Sequence, residues 1–452
     1  MKRTIFLIND LASRSCTSKA FREMKKNESL SRNQLRELQW RKLMDICTYA
    51  YEHVPFYRDL WNTHGVRLSS ITTPEAFAKQ IPVITKDDVR DNFDRFKSDK
   101  PLPGTFMIHT SGTTGSPAYY MRDGLARGWS MAGRFRGRSW WGVNLYDTEF
   151  RFWGEYTTFT SSHREKIRDA LKRFKDRMTG IYYFSTLNTT EENLARICAA
   201  MQTVQPPVVL AYSSAVYILS RFCKDHTIDM RDSDIKVISY TAEYFLENQK
   251  QVAKEVFGDR LASEYGSKEN GIVSFECPGH TAHIMEDDVY LESTSVGGEK
   301  SQLVATNLNA FSFPLIRYCT EDEGTIDDSP CQCGLPLRTL HLNKGRVHDY
   351  IKTPEGRVLV PTNFEHAMLE PLNRQPGVRR YQLVQHELDR IEIFVETNRA
   401  LDPAARDLLI RNITTLTGED MKVAITETDR ITLERSGKFK FIISHLSSSG
   451  TE

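Results

Sequence analysis

No apolar run in this chain approaches the length of a membrane-spanning helix, and no surplus of one charge sets up a field around it. The 60 Lys and Arg meet 59 Asp and Glu, a formal net charge of +1. Nothing in that balance draws the chain to nucleic acid or to an anionic membrane, and neither is expected as a partner. The opening Met1-Lys2-Arg3-Thr4-Ile5-Phe6-Leu7-Ile8-Asn9-Asp10 begins like a secretory signal, but its apolar run stops short of the roughly 7–15 residues such a signal needs. A cytoplasmic location is expected. The 8 cysteines in 452 residues are too sparse for a disulfide framework. Cys16, Cys47, Cys198 and Cys223 sit in helical or apolar contexts and read as small buried hydrophobes. Internal repeats are absent, and the one low-complexity piece is the tail Ser447-Ser448-Ser449-Gly450.

A chain of this length should form two or three domains. Residues from about Ser18 to Leu60 carry helical periodicity, with Leu35, Leu38, Leu43 and Ile46 on an apolar stripe. His53-Val54-Pro55-Phe56-Tyr57 interrupts it, and Ile81-Pro82-Val83-Ile84-Thr85-Lys86-Asp87-Asp88 reads as a loop entering an N-capped helix. The aromatics between Trp129 and Trp153 are mostly expected in the core. Ser162 to Arg177 forms a basic amphipathic helix, with Arg164, Lys166, Arg168, Lys172, Arg173 and Lys175 read as a solvated face. From Pro206 the pattern alternates: Val208–Tyr212 is a strand, with Ser213 able to cap the next helix. Ile235–Tyr240 is a second strand, Leu246 to Phe257 a helix, and Leu261–Tyr265 a third strand ending at Gly266. Such alternation predicts a parallel α/β sheet with ligand sites at strand ends. Ile284 to about Asp328 is strand- and turn-rich, a β subdomain. Beyond a boundary at Lys344–Asp349, a strand (Arg390–Val395), a helix (Asp402–Leu416) and a strand (Met421–Ile425) predict a small α+β domain. The expected fold class is α/β: residues 1–345 form a large N-terminal domain of parallel α/β sheets plus the β subdomain, and residues 346–452 a small mobile α+β C-terminal domain.

Within this frame one loop stands out. His109-Thr110-Ser111-Gly112-Thr113-Thr114-Gly115-Ser116-Pro117 follows a possible strand, Gly104 to Ile108. Two glycines three apart let backbone N–H groups approach a ligand, and the hydroxyls add uncharged donors. A Walker A loop would need Gly-Lys-Ser/Thr, and no Lys stands here. An ordinary polar turn and a phosphate cradle are both compatible with the loop alone.

Four further blocks follow in order: Glu264-Tyr265-Gly266-Ser267-Lys268-Glu269 at a strand end, Phe313 to Gly324 with Asp322 after a strand, Gly345-Arg346-x-x-Asp349, and Arg435-Ser436-Gly437-Lys438-Phe439-Lys440. In this order and spacing the set resembles the adenylate-forming superfamily of acyl-CoA synthetases, in particular the phenylacetate–coenzyme A ligase branch and its CapK-like relatives from capsular polysaccharide clusters. His53–Tyr57 and Pro82–Lys86 resemble that branch's N-terminal signature. The resemblance implies ATP-dependent activation of a carboxylic acid through an acyl-adenylate, with pyrophosphate released and the acyl group passed to a thiol, coenzyme A by default. It implies that Thr110, Ser111, Gly112, Thr113, Thr114 and Gly115 hold the β- and γ-phosphates and that Glu269 binds Mg²⁺, a hard ion suited to oxygen ligands. Tyr265 and Gly266 would lie by the adenine, with Ala242 and Glu243 lining the base. Asp322 would take both ribose hydroxyls and Arg346 reach phosphate or ribose. Lys438 would stabilise charge on the transferring phosphoryl group, with Lys440 the fallback, and Asp349 would act as the hinge between domains.

A second constellation concerns metal. Cys331-Gln332-Cys333-Gly334 is a tight C-x-C turn, and Cys277-Pro278-Gly279-His280-Thr281-Ala282-His283 supplies one thiol and two imidazoles. Three thiolates and one His satisfy a closed tetrahedral Zn²⁺ site; reduced thiols with solvated histidines are the plainer alternative. In the branch resembled, the matching histidine is His283, which precedes an acidic strand start at Glu286-Asp287.

The resemblance thins between Trp140 and Tyr217. Trp153-Gly154-Glu155-Tyr156 stands where a glycine-rich segment is expected, so phenylacetate itself is not implied. Trp153, Tyr156 and Tyr212 are candidates for an apolar acid pocket, or equally core aromatics. Two further functional readings stay open: an adenylate-forming enzyme that uses an amine, a hydroxyl or a carrier protein as acceptor or transfers AMP, and a non-catalytic nucleotide-binding relative. Oligomeric state, a dimer included, is open as well.

Overall fold

The computed structural model describes residues 2–109, 118–153, 163–186, 189–296, 299–342, 350–359, 363, 364, 367, 368, 371, 372, 375, 377–431 and 441–446. Six helices come first: α1 (Lys2–Ala12), α2 (Thr17–Asn27), α3 (Arg32–His53), α4 (Pro55–Thr63), α5 (Pro74–Gln80) and α6 (Lys86–Asp91). Val54 caps α3 and starts α4, because Pro55 has no N–H to continue the first helix but suits the first position of the second. Tyr57 on α4 is fully buried; its hydroxyl donates to the Pro314 carbonyl at 3.1 Å and accepts from the Ile316 N–H at 2.9 Å. The helix α6 starts at a reciprocal capping box between Thr85 and Asp88.

An antiparallel pair, β1 (Phe106–His109) and β2 (Tyr119–Arg122), leads into α7 (Gly124–Trp140). Alternating units follow: β3 (Glu149–Trp153), α8 (His163–Met178), β4 (Ile181–Ser185), α9 (Glu191–Val204), β5 (Val208–Tyr212), α10 (Ser213–Asp225), β6 (Val237–Thr241), α11 (Glu247–Phe257) and β7 (Leu261–Ser267). The strands β4, β3, β5, β6 and β7 pair in parallel. The central strands β5 and β6 are buried on both faces, as helix-covered parallel strands must be. Ser213 is not the cap of α10. Tyr212 occupies that position, and the Ser213 hydroxyl instead donates to the Glu243 carbonyl at 2.8 Å.

The β-rich part is β8 (Gly271–Glu276), β9 (Ala282–Ile284), β10 (Val289–Val296), β11 (Glu299–Asn307), β12 (Tyr318–Asp327) and β13 (Thr339–Leu342). It continues the parallel sheet rather than standing apart from it: all these strands join one 11-stranded sheet in the order β10-β11-β12-β13-β9-β8-β7-β6-β5-β3-β4. The junction is β7, parallel to β6 on one side and antiparallel to β8 on the other. Glu286 and Asp287, expected at a strand start, lie in the turn between β9 and β10 and are fully buried.

Residues 351–444 build a second sheet and core. After the hairpin β14 (Ile351–Lys352) and β15 (Val358–Leu359) come β16 (Val378–Glu387), β17 (Arg390–Thr397), α12 (Pro403–Thr417), β18 (Lys422–Thr428) and β19 (Ile442–Ser444). The four strands order as β18-β17-β16-β19. Asp402 caps α12 through the Ala404 N–H at 2.8 Å. This unit touches the large sheet's loops where the Asn363 amide donates to the Thr186 hydroxyl at 3.1 Å, and just ahead of β14 the Tyr350 hydroxyl accepts from the Gln249 amide at 2.8 Å.

Candidate active site

The sequence blocks converge at the β7 junction. β7 ends in a bulge at Tyr265 and Gly266, and the hairpin turn to β8 carries Glu269. Only glycine fits at 266, since a Cβ there would lie 2.2 Å from the Gly271 carbonyl oxygen. The Tyr265 hydroxyl donates to Asp322 Oδ2 at 2.9 Å. Burial, then the Asp322 charge, push the phenol well above its ordinary pKa, so it remains a donor. That bond ties one carboxylate oxygen of Asp322 and orients the group. Asp322 and Glu243 each follow a residue forced into the left-handed region, Glu321 at φ 62° and Ala242 at φ 71°. Non-glycine residues are held there only where surroundings over-determine them, as at functional turns. Glu243 accepts from the Ser214 N–H at 3.0 Å, linking the β6 and β5 ends.

Glu269 is half-buried, and burial raises its carboxyl above the usual range; the Asp322 charge adds to the rise and the Lys86 charge opposes it. The Tyr120 and Tyr318 hydroxyls lie 2.9 Å apart, and the Glu269 charge adds to the burial that raises both. Lys86 was legible in sequence only as part of a signature. It is placed by a backbone bridge: Ile84 pairs in parallel with Tyr318, donating to the Arg317 carbonyl at 3.0 Å and accepting from Cys319 at 2.9 Å. Arg122 is a second cation that sequence reasoning missed. It donates to the Lys268 carbonyl at 3.1 Å and so holds the Glu269 turn. Neither has a motif of its own; only pairing distant in sequence brings them in. The cluster therefore offers two carboxylates, three phenol hydroxyls and two cations at one strand-end crevice, a set suited to a nucleotide and a hard metal ion.

Trp153 and Tyr212, at the ends of neighbouring β3 and β5, stack with ring centroids 4.3 Å apart at 27°. Tyr212 is buried in the core while Trp153 is half-buried against it. Thr110 to Gly115, Tyr156, Arg346, Asp349 and Lys438 lie outside the described residues.

The Cys/His constellation does assemble. One ligand atom from each of Cys277, His283, Cys331 and Cys333 lies within 4.8 Å of all the others. His283 Nδ1 lies 3.2 Å from the Leu337 carbonyl, which can only accept, so the proton sits on Nδ1 and the Nε2 lone pair faces Cys333 Sγ at 3.1 Å. His280 turns away to Asp259 and Glu276, at 2.9 and 3.4 Å, which decides between the two histidines. Gly334, at φ 80°, closes the C-x-C turn, its N–H donating to the Cys331 carbonyl at 3.1 Å.

Comparison with known proteins accords with this geometry. Residues 351–445 match the family model described as the CapK C-terminal domain. The chain is 27% identical over 395 residues to a phenylacetate-coenzyme A ligase of Thermus thermophilus, covering 82% of this chain and 83% of that one. It is 20% identical over 376 residues to protein CapK of Staphylococcus aureus, covering 82% and 80%. Along most of its length the chain is thus similar to phenylacetate-coenzyme A ligases and to CapK, and its C-terminal part matches the CapK C-terminal domain. A solved 2-hydroxyisobutyryl-CoA ligase, in complex with 2-HIB-AMP and CoA, shares the fold with a TM-score of 0.57 at 18% identity, covering 93% of this chain and 91% of that one. The described parts of the expected nucleotide site, Tyr265, Gly266, Glu269 and Asp322, stand together on β7, its turn and β12.

Proposed function

We propose that the chain activates a carboxylic acid with ATP and passes the acyl group to coenzyme A. The observation that carries this is the Tyr265–Asp322–Glu269 cluster at the parallel-to-antiparallel junction of the sheet. In the first step a substrate carboxylate oxygen bonds to the α-phosphorus, the bond to the bridging oxygen breaks, and pyrophosphate leaves. In the second, the thiol sulfur bonds to the acyl carbon, its proton is lost, and AMP leaves. Thr110 to Gly115 cradle the outer phosphates, Tyr265, Gly266, Ala242 and Glu243 frame the base, and Asp322 holds the ribose with its carboxylate aligned by Tyr265. Glu269 suits Mg²⁺, because burial makes its charge costly until a cation sits beside it. Mg²⁺ supplies charge neutralisation on the phosphates. Lys438 and Arg346 bring positive charge to the transferring phosphate, and Asp349 is the pivot that lets the 346–452 domain move between the two steps.

ATP–pyrophosphate exchange across a panel of aryl and aliphatic acids, with and without coenzyme A, tests this. Acid-dependent exchange together with a thioester product is expected. Exchange without thioester would move the acceptor to an amine, a hydroxyl or a carrier protein, and ATP binding without exchange on any acid would leave only a binding role. The Trp153–Tyr212 stack, with Tyr156, forms the apolar wall of the acid pocket. The curated relatives named as phenylacetate-coenzyme A ligases support the coenzyme A acceptor.

Cys277, His283, Cys331 and Cys333 hold a structural Zn²⁺. Four ligand atoms so close match a tetrahedral site, whose ligands stand about 3.3–3.8 Å apart. Metal analysis of purified protein should find about one zinc per chain, and Cys331→Ser with Cys333→Ser should lose it and lower the melting temperature by about 10 °C. Zinc-free protein with an unchanged melting curve in the variant would refute the site.

A further inference from the structure

The helix α8 turns its apolar side outward. Ile167, Leu171 and Phe174 are 55, 64 and 67% exposed, at the i, i+4, i+7 spacing that puts them on one face. Sequence alone read this helix as basic and amphipathic, with its cations on a solvated face. Its charges follow a definite pattern around the wheel. Lys175 lies on one margin of the apolar stripe and Arg177 on the other, both exposed, while Asp176 is half-buried on the opposite side. The helix carries seven basic against three acidic residues, so the near-neutral total conceals one strongly cationic element.

A second apolar face lies nearby. Leu7, Ile8 and Leu11 of α1 are 38, 57 and 78% exposed. The Lys2 side chain lies over Gly180, just beyond the end of α8, and its ammonium donates to the Thr148 hydroxyl at 2.8 Å. The start of α1 thus lies beside the end of α8 and the entry to β4, the terminal strand of the large sheet.

We propose that α8, with α1 beside it, docks this protein onto an anionic lipid surface. An apolar stripe flanked by Lys and Arg, with acids facing away, lies in a bilayer interface with the stripe among acyl chains and the cations at headgroup phosphates. A second copy of this chain fits less well, because antiparallel packing of two α8 stripes would oppose basic margins with basic margins. The expectation of no membrane partner rested on net charge and is replaced here by a local one. No helix among the described residues is long and apolar enough to cross a membrane, so the contact is peripheral.

Co-sedimentation of the full chain with phosphatidylcholine vesicles containing on the order of a quarter phosphatidylglycerol tests this. Binding is expected there, about tenfold or more weaker on pure phosphatidylcholine or in high salt. Ile167→Ser/Leu171→Ser/Phe174→Ser should weaken binding by about a hundredfold, and Arg168→Gln/Lys175→Gln by about tenfold. Both variants should keep the wild-type melting temperature and exchange activity. Failure of the wild type to bind either vesicle, or wild-type binding by both variants, overturns the proposal. So does a sharp fall in melting temperature of the triple variant, which would mean the stripe packs against protein. A wild-type dimer that the triple variant dissociates, with vesicles ignored throughout, overturns it in favour of a second copy.

Discussion

Asp287→Ala should destabilise the protein by about 3–5 kcal/mol, the penalty for leaving a fully buried cation without its partner. Asp287 and Arg136 are both completely inaccessible and meet at 2.9 Å. Asp287 Oδ2 also accepts from the Asn27 amide at 3.0 Å, and the backbone carbonyl of the same residue accepts from Lys42 at 3.0 Å. The neighbouring acids act alike. Glu286 accepts from Arg32 at 2.6 and 2.9 Å and from the Arg338 side chain at 2.7 Å. Asp288 accepts from the Asn309 amide at 2.8 Å, and burial lifts its pKa to about 6. Three consecutive acids thus tie α2, α3 and α7 to the β9–β10 turn, three residues beyond His283 of the proposed zinc site. Removing the Asp287 carboxylate strands Arg136 in a medium where a lone charge is costly. Converting the pair together, Arg136→Met with Asp287→Leu, should recover most of the loss, because no unpaired charge then remains. Urea midpoints of the single and double variants measure this. A single variant within about 1 kcal/mol of wild type would show that Arg136 finds another partner.

The same run of acids marks where sequence legibility ends. The parallel strands were readable because their apolar runs are continuous, and α3 and α4 because Pro55 must break the helix. Glu286 and Asp287 read only as an acidic strand start, and their burial was not legible because carboxylates are seldom buried without partners; those partners, Arg32, Arg136 and Arg338, are remote in sequence. At the candidate site, Tyr265, Glu269 and Asp322 could be found as acids and an aromatic beside strand-end turns. Lys86 and Arg122 could not, because their role depends on the bridge from Ile84 to Tyr318 and on the hold of Arg122 on the Lys268 carbonyl. Periodicity showed α8 to be amphipathic but carries no information about which face meets the protein. The exposed stripe reverses the simplest reading.

Glu269→Gln should lower ATP–pyrophosphate exchange by about a hundred- to a thousandfold, the range for losing one group that meets charge developing in the transition state. The exchange keeps the shape of the side chain and removes its charge. Because burial raises the Glu269 pKa, with Asp322 adding and Lys86 opposing, the ionised carboxylate is unfavourable in the free protein. The neutral amide relieves that cost, so the variant should melt no lower than wild type while losing activity. A stability defect would instead point to a structural role for the turn. The Mg²⁺ concentration for half-maximal exchange should rise in Glu269→Gln. In Lys438→Ala, exchange should fall comparably with the Mg²⁺ requirement unchanged, because a lysine contributes charge without ligating a cation. At limiting Mg²⁺, wild-type exchange should decline on acidification at a higher pH than an ordinary carboxylate would dictate, since a raised pKa leaves the group protonated sooner. The Gln variant should lack that limb. Wild-type exchange and Mg²⁺ dependence in Glu269→Gln would remove Glu269 from the site and leave Asp322 as the acid to test there.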